Sequence, residues 1–188
     1  MNVGGVTTNY PIGYEAGRTQ RATTDKSFAN TMRKTTGTKG VGFVIHTSNE
    51  EDGIAIGSST NRNGSVAVYK PNDFDPANPV YKVKVWDEAG NVTEERMVDI
   101  SKVDPNHGDY VDMFAYSSHL TDSGECPGAQ AAFMRACANP HGAGNVYDSY
   151  LDKENWVGII KYAMQLQYDL GNMEGYMVYK KFGDFLEQ

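Results

Sequence analysis

The sequence has few cysteines. Its 188 residues include only two, Cys126 and Cys137. If one helix carries both, a rise over eleven residues sets them about 16 Å apart, too far for a disulfide. We therefore expect two reduced thiols.

The sequence also lacks the signals that send a chain to or through a membrane. No apolar run approaches the length of a membrane span, and residues 1–15 have neither the basic start nor the apolar middle of a secretory signal. These absences predict a soluble, cytoplasmic protein without a membrane partner.

Basic residues are scarce in most of the chain. Residues 1–40 hold six Lys or Arg and two acidic residues, whereas residues 41–188 hold eleven Lys or Arg and twenty-two acidic residues. A basic arm thus precedes an acidic body. Because phosphate contacts need clustered Lys and Arg, the acidic body argues against nucleic-acid binding.

The first 39 residues are predicted to be a flexible basic arm, and residues 40–188 a single domain. The arm is rich in Gly, Thr, Asn and Arg and shows no sustained apolar period, although a short helix is compatible with residues 26–34. Two interpretations stay open: an unstructured end, or an arm that docks a protein partner or exchanges between subunits.

The clearest structural pattern lies between Pro79 and Asp104. An alternation of apolar and mixed side chains predicts a half-buried strand over residues 81–86. Residues 92–100 are rich in side chains that favour β-strands and predict a second strand that pairs with the first. A three-residue loop with Gly90 in the left-handed region would join the two strands. This register places Trp86 opposite Val92, Lys84 opposite Glu94, and Lys82 opposite Arg96.

The remaining elements predict an α+β fold. A buried strand is expected over Gly40–Thr47 and a second hairpin around Asn63-Gly64, which gives an antiparallel sheet of about five strands within residues 40–100. Three or four helices follow within residues 105–188. They are expected from Asp104 or Asp109 to about Leu120, over Pro127–Ala138, over Lys153–Leu170 with Asp152 as its cap, and over Glu174–Leu186.

Several side chains that could hold a metal are concentrated near the first predicted helix. They are His107, Asp109, Asp112, His119, Asp122, Glu125 and Cys126. No spacing among them matches a known ligand signature, and the same residues suit the solvated face and caps of an amphipathic helix. Cys126, Cys137 and His141 resemble three ligands of a zinc site, but a fourth ligand and a paired cysteine knuckle are lacking.

The sequence assigns no catalytic, cofactor-binding or metal-binding residue. It lacks the GxSxG elbow of a serine hydrolase, and Gly37-Thr38-Lys39-Gly40 lacks the spacing of a phosphate-binding loop. We therefore predict a non-enzymatic protein-interaction or assembly module that uses the basic arm, with the C-terminal helices as a further surface. The alternative is a small hydrolase or metal-dependent enzyme whose site combines His107, His119, Cys137 and His141.

Three stretches carry a resemblance to known sequences. They are YPIGYEAGRT near the start, NPVYKVKVWDEAGNVTEERMVDISKVDP in the middle, and MFAYSSHLTDSG after it. Together they resemble a family of short bacterial proteins that carries only a domain-of-unknown-function label, over most of the chain. The resemblance implies no activity, cofactor or catalytic residue.

Overall fold

The computed structural model describes residues 48–49, 51–61, 64–138 and 150–187. The predicted arm, the predicted strand over Gly40–Thr47, and His141 lie outside these residues.

Four antiparallel strands form the main sheet, in the order in which they occur in the chain. They are β1 (Ile54–Asn61), β2 (Gly64–Lys70), β3 (Val80–Trp86) and β4 (Val92–Asp99). Each strand follows its neighbour through a short connection, which makes antiparallel pairing the direct outcome. Gly90 has a φ of 84°, and the amide of Gly90 donates to the carbonyl of Asp87, as the predicted loop requires.

The helices follow the sheet, so the fold is α+β, as predicted. A 3-10 turn (Ile100–Lys102) leads to β5 (Gly108–Asp109), α1 (Tyr110–Asp122) and α2 (Ala129–Ala138), and then to β6 (Lys153–Glu154), α3 (Trp156–Asp169) and α4 (Met173–Leu186). Strands β5 and β6 pair as a separate two-stranded sheet. No helix among the described residues is both long and apolar enough to cross a membrane.

The predicted cap of α3 is wrong. Asp152 lies before the helix, because residues 153–154 pair with β5 and hold the backbone extended. Asn155 caps α3 instead, and its side-chain oxygen accepts from the amide of Gly158 at 2.9 Å. For α1, the later of the two predicted starts is correct: the carboxylate of Asp109 accepts from the amide of Asp112.

Part of the predicted register between β3 and β4 is also wrong. Trp86 pairs with Val92 as predicted, but Thr93 is an extra residue in β4, and the register shifts beyond it. Lys84 therefore faces Glu95, and Arg96 faces Val83. The shift places Arg96 on the same face of the sheet as the buried Val83, which is the helix-covered face.

The core fills the space between this inner face and the helices. Val66, Val68, Val83 and Val85 supply the sheet side, and Val111, Met113, Phe114 and Phe133 supply the helix side, each at most 5% exposed. Trp156 at the start of α3 is fully buried, and its Nε1 atom donates to the carbonyl of Gly108 at 2.8 Å. This bond links α3 to the chain just before α1.

The outer face of the sheet carries a buried charge cluster. Both Lys82 and Lys84 place their ammonium groups 2.6 Å from the same carboxylate oxygen of Asp52, and both also contact Glu95. Burial by itself raises the pKa of Asp52, but the hydrogen bonds from the two lysines and from Asn49 outweigh it and lower the pKa to about 2.

Candidate functional site

The histidines predicted as candidate ligands that the structure describes, His107 and His119, lie in different parts of the fold. His107 is exposed, before β5, whereas His119 lies near the end of α1. The helical rise from Tyr110 to His119 alone is about 13.5 Å. In the part of the chain that the structure describes, no three His, Cys, Asp or Glu side chains are grouped so that they could hold a metal.

The two cysteines are free and buried. Cys137 belongs to the core cluster on α2, and burial raises the pKa of its thiol well above the ordinary value. Burial raises the pKa of Cys126 as well, although Lys181 opposes the change. Both thiols are therefore protonated at neutral pH and behave as small apolar side chains, unlike nucleophiles.

Three of the four acidic residues of the predicted ligand cluster, Asp109, Asp112 and Asp122, bind basic side chains of the sheet. Arg96 lies 2.5 Å from Asp109 and 2.8 Å from Asp112 through the same guanidinium nitrogen, and its other terminal nitrogen lies 3.1 Å from Glu94. Asp122 pairs with Lys70. These ion pairs link α1 to the sheet, so the carboxylates stabilise the packing of the helix on the strands.

His119 is the one residue of the predicted enzyme set that the structure describes in a cleft. Its Nδ1 atom lies 2.9 Å from the hydroxyl oxygen of the buried Tyr81 in β3, and its Nε2 atom lies 3.8 Å from a carboxylate oxygen of Glu125. Because a neutral imidazole has one donor and one acceptor nitrogen, the carboxylate favours the proton on Nε2. Nδ1 then accepts from the Tyr81 hydroxyl.

Burial controls the protonation of this pair. It lowers the pKa of His119 below the ordinary value of 6.5, although the carboxylates of Glu125 and Asp122 oppose the change. It raises the pKa of Tyr81 to about 12, and the same two carboxylates add to that effect. At neutral pH the imidazole is therefore uncharged and the tyrosine keeps its proton.

The cleft beside His119 has a volume of about 370 Å³ and walls of mixed polar and apolar character. Tyr116 and Glu125 are polar groups on its wall, and the Tyr116 hydroxyl donates to the carbonyl of Phe185. The neighbouring Ser117 and Ser118 donate to a backbone carbonyl one turn earlier in α1. The histidine thus has a tyrosine and a carboxylate beside it, and the hydroxyl of Ser101, which also lines the cleft, donates to the carboxylate of Asp99 at 2.6 Å instead of to the imidazole.

A second feature is an exposed apolar row on α4. Met173, Met177 and Val178 are 52%, 55% and 38% exposed. The opposite face of the helix packs into the core through Tyr179, Phe182 and Leu186. Val178 adjoins the buried Tyr179 in the sequence but lies at the surface. We call the three exposed apolar side chains, Met173, Met177 and Val178, together with the exposed charged side chains of Glu174 and Lys181, the α4 surface.

The α4 surface borders a groove. The groove has a volume of about 480 Å³, and its other wall is formed by residues 126–129 before and at the start of α2. Glu174 and Lys181 stand at opposite ends of the row, and neither makes an ion pair with another described residue. Lys180, in contrast, is held by Asp184 at 2.7 Å. The groove therefore offers an apolar centre between two opposite, unpaired charges.

The apolar row continues around the turn that joins α3 to α4. Tyr168 and Leu170, at the end of α3, are 57% and 70% exposed. The ring of Tyr168 lies 5.7 Å from that of Tyr176, centroid to centroid. Helical spacing groups Leu170 with the buried Trp156 and Ile160, but the structure places it at the surface.

The residues of the α4 surface were missed because both faces of this helix carry apolar side chains. Methionines at 173 and 177 recur at a spacing of four, which is also the spacing of core positions. The signal that could have identified them is the breadth of the apolar pattern around the helix, because apolar side chains occupy more of its circumference than one packed face requires.

Comparisons with known proteins identify no relative. No family model, no curated protein and no solved structure matches the chain. The family resemblance of the three sequence stretches stays a prediction, and the function is inferred from the geometry alone.

Proposed function

We propose that this chain is a non-enzymatic protein-interaction or assembly module that binds a protein through the α4 surface. The observation that carries the proposal is the exposed apolar row on a helix whose opposite face is already buried in the core. Isolated apolar side chains are common on protein surfaces, but a contiguous row beside a groove is typical of an interface.

The side chains of the row suit a protein partner. Methionine is flexible and polarisable, so Met173 and Met177 can adapt to an apolar surface that approaches them. Charged Glu174 and Lys181 flank the apolar centre, which is the usual arrangement of an apolar interface centre and a polar rim. The predicted contribution of the basic arm falls on residues outside the described ones and stays part of the proposal.

The enzymatic alternative has less support. It required His107, His119, Cys137 and His141 to form one site. Of the three that lie within the described residues, His119 lines a cleft, His107 is exposed at the surface, and Cys137 is buried in the core.

Site-specific photo-crosslinking in the cells that make the protein tests the proposal. A photoreactive amino acid at Met177 is expected to trap one protein in a product of defined mass. The matched control is Met97 on β4, which is 56% exposed and lies on the sheet, away from α4. No product at position 177, or equal products at 177 and 97, would show that α4 is not an interface.

A further inference from the structure

The charges and apolar side chains of the α4 surface have a simple symmetry. Helix α4 has 14 residues and is therefore about 21 Å long. Positions 174, 177, 178 and 181 follow the spacing of one helix face, and all four side chains are exposed. Their midpoint lies between Met177 and Val178, with an acidic residue one turn before it and a basic residue one turn after it.

We infer that the partner at the α4 surface is a second copy of this chain, bound with its α4 antiparallel to the first about a two-fold axis near Met177 and Val178. The inference rests on the proposed function, because it names the partner of the same surface. A two-fold interface requires one patch to be complementary to itself.

Antiparallel packing satisfies that requirement. The two-fold axis brings Glu174 of each copy opposite Lys181 of the other, and it brings Met177 of each copy opposite Val178 of the other. Two ion pairs then flank an apolar centre. Parallel packing in register would instead set glutamate against glutamate and lysine against lysine, which is unfavourable.

The monomer leaves these charges available. Neither Glu174 nor Lys181 is used in an ion pair within the described part of the chain, while the adjacent Lys180 is held by Asp184. The groove wall at residues 126–129 gives each incoming helix a second apolar surface, which includes Pro127 and Ala129. One pair of helices buries an area at the low end for specific complexes, so we expect a dissociation constant of roughly 10–100 µM.

Analytical ultracentrifugation of the full chain from about 5 to 500 µM tests the inference. We expect the wild type to move from the mass of one chain to twice that mass within this range. Lys181→Glu and Glu174→Lys each create two like-charge contacts across the axis, and each is expected to weaken dimerisation at least tenfold. Glu88→Lys, an exposed substitution in the β3–β4 loop with the same change of charge as Glu174→Lys, is expected to dimerise like the wild type.

The decisive measurement is a mixture of the two weakened variants. One copy then has lysine at both positions and the other has glutamate at both, so every contact across the axis is again between opposite charges. Recovery of a heterodimer near wild-type affinity supports the antiparallel geometry, because the mixture and the wild type then have the same two opposite-charge contacts. Parallel packing in register would instead make the mixture bind more tightly than the wild type, whose contacts in that geometry are between like charges. Circular dichroism checks that each variant is folded, which we expect because both side chains are exposed.

The outcomes separate this inference from the proposed function. A wild type that stays monomeric up to 500 µM, or a mixture that does not recover, overturns the second-copy inference. If the crosslink at position 177 then contains a different protein, the proposed function stands with another partner. If the mixture recovers and the crosslinked product has the mass of two chains, the second-copy inference and the proposed function both stand.

Discussion

His119 shows how burial at a single residue links pH to stability. The folded protein favours the neutral imidazole, since burial lowers the pKa of His119 while the unfolded chain keeps a pKa near 6.5. The stabilising effect is therefore complete above pH 6.5. As the pH falls below 6.5, the unfolded state takes up the proton first, and the folded state loses stability.

We expect His119→Asn to remove this pH dependence. The asparagine oxygen can still accept from Tyr81, but the residue does not titrate. The free energy of unfolding, measured by urea denaturation between pH 7.5 and 5.0, should fall more steeply for the wild type than for the variant. Parallel curves would contradict the assigned protonation. The groups that surround the imidazole are Tyr81, Glu125, Asp122 and Lys70, and all four stay in place.

Asp52 acts in the same direction as His119, at more acidic pH. Its folded pKa is about 2, below the ordinary value of 3.8, because Lys82 and Lys84 contact the carboxylate. Its contribution is fully present above pH 3.8 and is lost as the pH falls toward 2. From that difference we expect Asp52→Asn to cost about 2 kcal/mol at pH 7 and much less at pH 2. Denaturation at the two pH values measures the difference, and an equal cost at both would contradict it.

At the scale of elements, Arg96 is the main polar connection between β4 and α1. It contacts three carboxylates, and the side chain of Asp109, which caps α1, is only 8% exposed. Without the guanidinium of Arg96, the three carboxylates would lie close together with no positive charge between them to balance their repulsion.

We therefore expect Arg96→Met to lower the free energy of unfolding by about 2–4 kcal/mol. The control is Lys102→Met, which removes a cation that is 80% exposed and pairs with Asp99. We expect that change to cost less than about 1 kcal/mol. Similar costs in urea denaturation would show that Arg96 does not fasten the helix.

Local patterns of the sequence were sufficient for most elements. Alternation in residues 81–86 predicted β3, and the buried Tyr81, Val83 and Val85 confirm the face that it assigned. The main helices are also confirmed, because a periodic apolar stripe defines a helix without knowledge of its neighbours. The register of β4 was not predictable, since the extra residue Thr93 depends on what the partner strand and α1 require.

The candidate site was less predictable than the fold. His119 was named in advance, but its contacts with Tyr81 and Glu125 depend on how α1 crosses the sheet. The α4 surface was not predicted residue by residue, because a helix with apolar side chains on two faces does not show which face the core will take.

At the scale of the whole molecule, the two ends of the chain have separate predicted roles. The basic residues 1–39 are predicted to contact a partner, whereas the α4 surface is proposed to join two copies. We expect deletion of residues 1–35 to leave the concentration-dependent dimer in place and to change only the other proteins that associate with the chain.

Ultracentrifugation and quantitative crosslinking of the truncated chain measure these two effects separately, with circular dichroism as the check on folding. A dimer that disappears with the arm would assign self-association to residues 1–35. Unchanged self-association together with unchanged partners would show that the arm has no role in binding.

The sequence by itself determined the α+β class, the central hairpin and the approximate positions of the helices, because these depend on spacing and turn residues within a few positions of one another. Tertiary structure decided the bulge at Thr93, the Asn155 cap and the exposure of Met177. Each of these depends on contacts with an element distant in the chain. Arg96, beyond the bulge, pairs with carboxylates of α1 and its cap, and the pairing of residues 153–154 with β5 sets the start of α3. Packing against the core decides which face of α4 is buried. A contact between distant elements leaves no periodic trace in a single sequence.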